Sequence, residues 1–135
     1  MKILVCYNGS ASSTAALEKA KHYAGVFSAD VYVVTSITQT HEVKNQDIDR
    51  MDKASKELDA ISGQFKAANI LCNTRLLVSD LSSGENILNY AGKKDIDLIM
   101  IGITRVSKVG KLLFGSTAQF VIIESACPVL SVKHG

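Results

Sequence analysis

The residues best suited to chemistry lie between Gly102 and Thr117, in the stretch Gly-Ile-Thr-Arg-Val-Ser-Lys-Val-Gly-Lys-Leu-Leu-Phe-Gly-Ser-Thr. It carries Arg105, Lys108 and Lys111 and no acidic residue. Glycine at both ends allows a positive φ and lets a ligand approach the backbone closely. The apolar run Leu98-Ile99-Met100-Ile101 before it reads as a buried strand, and Ala118 to Ser125 after it reads as a helix. Gly115-Ser116-Thr117 therefore sets free N–H groups and two hydroxyls at a helix start, where those donors and the helix dipole favour an anion. A phosphate is the expected guest.

Such a loop needs a scaffold, and the rest of the chain supplies one. Ile3-Leu4-Val5-Cys6 is a short unbroken apolar run that ends at the turn signal Asn8-Gly9-Ser10. Ser12 to Ala24 reads as a helix with Ala16, Leu17, Ala20 and Ala24 on one face and Gly25 as its stop. Val31 to Thr35 is β-branched and aromatic, a second strand. The polar segment Thr38 to Gln46 lacks a period and is expected to be mobile or to cover a ligand. Ile48, Met51, Ala54, Leu58, Ile61 and Phe65 then recur at helical spacing.

Ile70 to Val78 alternates as an edge strand would, with Asn73 and Arg75 on its wet side. Ser82-Ser83-Gly84-Glu85 opens a third helix that ends at Gly92-Lys93-Lys94. Pro128 precedes a last strand, Val129 to Lys133. This alternation predicts an α/β fold: an open parallel sheet of five strands with right-handed crossovers and helices on both faces. The first and fourth strands are the most apolar, so they belong side by side in the centre, giving the order 3-2-1-4-5. The crevice beyond their carboxyl ends is then the topological switch point where ligands bind. The loops Asn8-Gly9-Ser10 and Gly102 to Gly115 both open onto it.

Composition narrows the function. The 135 residues read as one domain, 1–135, with 47% apolar and 21% charged residues. A chain near this length buries roughly 70% of its unfolded surface, enough for a core without staples. A net charge of +2 is too small to argue for nucleic acid by electrostatics alone. Met1-Lys2 leads directly into a strand and there is no apolar run of about 18 residues, so neither a leader nor a membrane span is expected and the cytoplasm is the expected compartment. Cys6, Cys72 and Cys127 are odd in number and far apart, which predicts reduced, mostly buried thiols and no zinc site. His22, His41 and His134 read as surface residues. Asp95 and Asp97 read as turn and capping residues at the end away from the crevice, and Asp80 has no evident partner. No Ser-His-Asp set, carboxylate pair or Walker lysine motif is present.

Gly102 and Gly115-Ser116 fit two parts of the pattern Gly-x2-Gly-x9-Gly-Ser/Thr, with Arg105 at the middle glycine. Together with Lys2-Ile-Leu-Val-Cys-Tyr-Asn8-Gly9-Ser10 at the start and Ala126-Cys-Pro128-Val-Leu-Ser-Val132 at the end, the whole chain resembles the universal stress protein family. The resemblance implies a Rossmann-like, adenine nucleotide alpha hydrolase-like fold and a stress-response regulatory module binding ATP or AMP, with or without Mg, at the crevice between strands 1 and 4. Asn8 stands where nucleotide-binding members carry an acidic ribose ligand, Ser36 where backbone groups hold the adenine. Gly102 would face ribose and phosphates, and Gly115, Ser116 and Thr117 would hold the phosphate chain. Nucleotide binding would act by ordering the loop and changing what protein partners see. Arg105 either plugs the phosphate space with its guanidinium or grips phosphate as a charged fork.

Three alternatives stay open: a nucleotide-free interaction module of the same family, slow ATP hydrolysis as in some relatives, and an ATP-pyrophosphatase relative. The Ser-Gly-Gly-x-Asp-Ser loop of the last does not match Asn8-Gly9-Ser10-Ala11-Ser12. The basic loop residues would also suit an acidic protein partner. Because the last strand lies at an edge and no later segment follows it, the chain is expected to form a two-fold homodimer through Val129 to Lys133.

Overall fold

The structure is a computed structural model and describes residues 1–103 and 115–134. Its elements alternate strictly: β1 (Lys2–Cys6), α1 (Ala11–Phe27), β2 (Asp30–Thr38), α2 (Asn45–Ala67), β3 (Cys72–Ser79), α3 (Ser83–Lys93), β4 (Leu98–Ile103), α4 (Ser116–Glu124) and β5 (Val129–Lys133). The strands form one sheet in the order β3-β2-β1-β4-β5, and every pairing is parallel. Ile3 lies opposite Leu98 and Cys6 opposite Ile101, so the two most apolar runs are neighbours, as the sequence predicts. Being buried on both faces is what makes them continuous apolar runs rather than alternating ones.

Successive residues of a strand point to opposite faces, and the two faces carry different helices. Ile3, Val5, Val31 and Val33 pack under α1 and α2, against Ala16, Leu17, Ala20, Leu58, Ile61 and Phe65. Leu4, Cys6, Val34, Ile99 and Ile101 pack under α3 and α4, against Ile87, Tyr90, Ala91, Ala118 and Val121. The small residues of α1 let its backbone lie close to the sheet. The change of face occurs between β1 and β4, which places the switch point there.

Several boundaries differ from the sequence reading. Gly25 does not stop α1. The helix runs on to Phe27, and Ser28 closes it in a left-handed conformation (φ 53°) with its N–H bonded to the carbonyl of Ala24. The apolar stripe of α2 is buried only in its second half. Ile48 is 54% exposed, whereas Leu58, Ile61 and Phe65 are buried. The first turns of α2 thus project past the sheet. β3 is an edge strand, but Val78 on its expected inner side is exposed.

The segment Thr38 to Gln46 begins in β2 and ends in α2, and its middle is tied to the start of that helix. Asp47 is buried and accepts a hydrogen bond from the N–H of Lys44 at 2.9 Å. Gln39 reaches across to the carbonyl of His41 at 3.0 Å, and Arg50 stands 3.7 Å from the Asp47 carboxylate. The Lys44 N–H holds Asp47 below the usual carboxylate range, with Gln39, His41 and Arg50 acting in the same direction. A depressed carboxyl stabilises the fold above its unfolded pKa and loses that contribution as pH falls through the folded one. Asp47→Asn is therefore expected to be less stable than the parent at neutral pH. The gap between the two melting temperatures should narrow as pH falls below about 4, the ordinary carboxylate range. A gap that stays constant from pH 7 to pH 3 would refute that role.

Candidate functional site

The carboxyl ends of β1 and β4 open into a cleft of about 340 Å³. Its floor is the end of the sheet, with Cys6, Val34 and Ile101. Three helix starts close it: Ser10, Ser12 and Ser13 from α1, Ser83 and Ile87 from α3, and Gly115 to Ala118 from α4. Every described lining residue is uncharged. Burial pushes the Cys6 thiol up to about 12, so this cysteine is a neutral part of the floor.

The three helix starts differ in a way that matters for ligands. At α1, Ser10 caps the helix: its Oγ accepts the N–H of Ser13 at 3.1 Å, and no acidic residue occupies the first turn. At α3, Ser82 caps the helix by accepting the N–H of Glu85, and the Glu85 carboxylate accepts the Ser82 hydroxyl at 2.8 Å. That end already holds an anion. At α4, Gly115 occupies the cap position and no side chain among the described residues caps the helix. The first N–H groups of a helix have no intrahelical partner. Gly115 to Ala118 line the cleft, so the first turn of α4 lies there beside the Ser116 and Thr117 hydroxyls. This arrangement can bind an anion.

The opposite wall offers a different chemistry. The ladder between β1 and β2 ends where the N–H of Tyr7 bonds the carbonyl of Val34 at 2.9 Å. Alternate residues of a parallel strand direct their main-chain groups to the same neighbour. Ser36, two residues beyond Val34, thus turns its N–H and C=O toward a strand that has already bent away at Asn8. One donor and one acceptor on adjacent edge positions suit the rim of a planar heterocycle.

The turn after β1 is built from its own polar groups. Asn8 Oδ1 accepts the N–H of Ser10 at 3.0 Å, Gly9 takes the positive φ of 84°, and the buried Ser13 hydroxyl donates to the carbonyl of Ser10 at 2.9 Å. Asn8 therefore acts first as a turn residue, and it also lines the cleft.

The model of the Universal stress protein family matches residues 1–133. The chain belongs to the universal stress protein family. A Thermus aquaticus universal stress protein is 29% identical over 97% of each chain. A solved universal stress protein structure from Archaeoglobus fulgidus is 30% identical, covers 98% of both chains and superimposes with a TM-score of 0.84. A second structure from that organism, described as a complex with dAMP, is 26% identical over 98% of both chains, with a TM-score of 0.77.

In this universal stress protein, six of the seven residues singled out from the sequence line one cleft: Asn8, Ser36, Gly102, Gly115, Ser116 and Thr117. Arg105 lies outside the described residues, as do Lys108 and Lys111. Three of the six are placed differently from expectation. Gly102 belongs to β4 rather than to a loop, and neither it nor Gly115 has a positive φ; Gly115 sits at −65°. Gly102 is glycine because the first turn of α1 lies against it. A Cβ there would overlap the carbonyl of Ser12 and come within 2.7 Å of the Ser13 nitrogen. Ser36 lies inside β2, opposite Leu77, not past its end.

Sequence reasoning missed Ser12, Ser13 and Ser83. Ser10, a favoured cap residue just before the helix, is the signal that could have placed the first turn of α1, with Ser12 and Ser13, at the crevice. It also missed Asn86, a buried polar residue of α3 whose amide bonds Ser36 and Ser79. The three histidines are exposed, and Asp97 accepts the N–H of Lys2 at the far end of the sheet. Asp80 is exposed. The three thiols are free, with Cys6 buried and Cys72 and Cys127 partly so. Among the described residues no helix is long and apolar enough to cross a membrane, and no cluster of His, Cys, Asp or Glu is arranged to hold a metal.

Proposed function

We propose that this protein is a stress-response regulatory module that binds an adenine nucleotide, ATP or AMP, in the cleft between β1 and β4. The observation that carries the proposal is the pairing of two complementary walls across one cleft. The start of α4, with glycine at its cap position, supplies donors and hydroxyls for phosphate, and the free edge of β2 at Ser36 supplies a donor and an acceptor for a base. The dAMP complex of the Archaeoglobus fulgidus relative supports the same class of ligand. Mg accompanies ATP in this reading. Three free thiols suit a reducing compartment, so the cytoplasm is the proposed location.

Calorimetry with ATP and AMP tests the reading. The parent protein is expected to bind, and Ser116→Ala to weaken binding by about 1–3 kcal/mol, the scale of a hydrogen bond to a charged group. Arg105 separates two versions. As a phosphate fork, Arg105→Ala weakens ATP binding and lowers its salt dependence. As a plug, Arg105→Gly restores the family pattern and tightens binding. A second reading, a nucleotide-free interaction module, draws on Asn8, whose side-chain oxygen is already taken by the Ser10 N–H. Absence of binding by both the parent and Arg105→Gly would favour it.

The proposed assembly is a two-fold dimer in which β5 pairs antiparallel with its own copy. The N–H of Ile99 bonds the carbonyl of Pro128, so Pro128, Leu130 and Val132 direct their backbone groups to β4, and Val129, Ser131 and Lys133 direct theirs to the free edge. Ser131 is exposed and lies in the middle of that edge. Ser131→Pro removes an N–H that the β4 ladder does not use, a change that edge strands tolerate. The expected result by light scattering is a dimer for the parent and a folded monomer for the variant. A parent that is monomeric at high micromolar concentration would refute the interface.

A further inference from the structure

Behind the β2 wall of the cleft lies a continuous chain of hydrogen bonds that the nucleotide reading leaves unused. Asn86, 8% exposed, donates from Nδ2 to the Ser36 hydroxyl oxygen at 3.2 Å. Its Oδ1 accepts the Ser79 hydroxyl at 2.5 Å. Ser79 Oγ in turn accepts the N–H of Leu81 at 3.1 Å, and the carbonyl of Leu81 accepts the Thr38 hydroxyl at 2.9 Å. Each link orients the next. Because Ser79 Oγ is held by a backbone donor, its proton goes to the Asn86 oxygen. That turns the Asn86 NH2 group toward Ser36. Both ends of this buried amide are satisfied in that orientation, with the oxygen toward Ser79 and the NH2 group toward Ser36.

The consequence falls on Ser36. Its oxygen accepts from Asn86, so its own proton is left over, and Ser36 is the member of the chain that lines the cleft. Were the Asn86 amide reversed, Ser36 would donate to it and show the cleft only lone pairs. We infer that Asn86 is a positioning residue that makes the Ser36 hydroxyl a hydrogen-bond donor to an unprotonated ring nitrogen of the bound base, so that the cleft selects its base through this side chain as well as through the β2 backbone. The inference rests on the proposal that the cleft holds an adenine nucleotide. It adds a side-chain determinant of the base, supplied by α3 from outside the cleft.

The test uses AMP and its 1-deaza, 3-deaza and 7-deaza analogues, each lacking one ring-nitrogen acceptor, titrated into the full chain by calorimetry. One analogue is expected to bind the parent protein about three- to ten-fold more weakly than AMP, the range for one neutral hydrogen bond. Asn86→Asp keeps the side chain's shape but makes its inner atom an acceptor that draws the Ser36 proton away from the cleft. Both Asn86→Asp and Ser36→Ala should weaken AMP by that same factor and abolish the difference between AMP and the sensitive analogue. A merely structural role for Asn86 would weaken AMP and all three analogues alike. Equal binding of all four ligands by the parent, which needs no variant to fold, overturns the inference. So does a penalty that survives in both folded variants. In either case the nucleotide reading stands as long as AMP binds and Ser116→Ala weakens it. Failure of the parent to bind AMP at all overturns both.

Discussion

Gly102→Ala is expected to destabilise the protein by about 3 kcal/mol, at the upper end of the usual cost of overpacking. For a domain of this size that lowers the melting temperature by roughly 10 °C. The added methyl would meet backbone, the carbonyl of Ser12 and the nitrogen of Ser13, and backbone cannot rotate out of the way. The first turn of α1 would have to lift from β4. That turn carries Ser10, whose side chain caps the helix and whose N–H is held by Asn8, so the wall of the cleft would move with it. Stability and ligand binding are thus expected to fall together. Urea unfolding followed by circular dichroism, with a nucleotide titration on the same samples, measures both. An alanine variant that melts with the parent would show that α1 and β4 are not in such close contact.

Gly115→Val is expected to do the reverse: to abolish nucleotide binding with little loss of stability. Among the described residues nothing lies within 4 Å of a Cβ built on Gly115, and its φ of −65° is open to any residue. The fold has room for valine there. The cost to α4 is that of a poor residue at a helix cap, about 1 kcal/mol. The ligand has no such room, because the isopropyl group would stand over the N–H groups that phosphate needs. Loss of two charge-assisted hydrogen bonds corresponds to roughly a hundred-fold weaker binding or more. Calorimetry with ATP, paired with a melting curve, reads the two effects separately. Undiminished ATP affinity in the valine variant would remove phosphate from the start of α4.

These two glycines show how far the sequence could be read. Both were placed at one site by their spacing, and both do line one cleft. Their roles are unlike. Gly102 is held by packing between α1 and β4, residues 90 positions apart in the chain, while no described residue crowds Gly115. Spacing along a chain carries no record of which residue's Cβ would meet a neighbour. In the same way, Gly25 reads as a helix stop but lies within α1, because an interior glycine costs only about 1 kcal/mol and Ser28 can adopt the left-handed turn. The polar segment before α2 reads as a loose loop because its anchor, the buried carboxylate of Asp47, looks like any other helix-start acid until its burial is seen.

What the sequence determined by itself was everything that depends on local pattern. Unbroken apolar runs marked β1 and β4 as central, alternation marked β3 as an edge, Pro128 marked the start of β5, and Ser82-Ser83-Gly84-Glu85 marked the start of α3. Those patterns fix strand order because burying a strand on both faces leaves only the middle of the sheet. Tertiary structure decided what depends on distance through space. It set Asn86 behind Ser36, fifty residues earlier in the chain. It laid the first turn of α1 on Gly102, and it turned the free edge of β2 toward the start of α4. A hydrogen bond or a close backbone contact between distant segments exists only once the sheet has aligned them, and no single segment carries a trace of it.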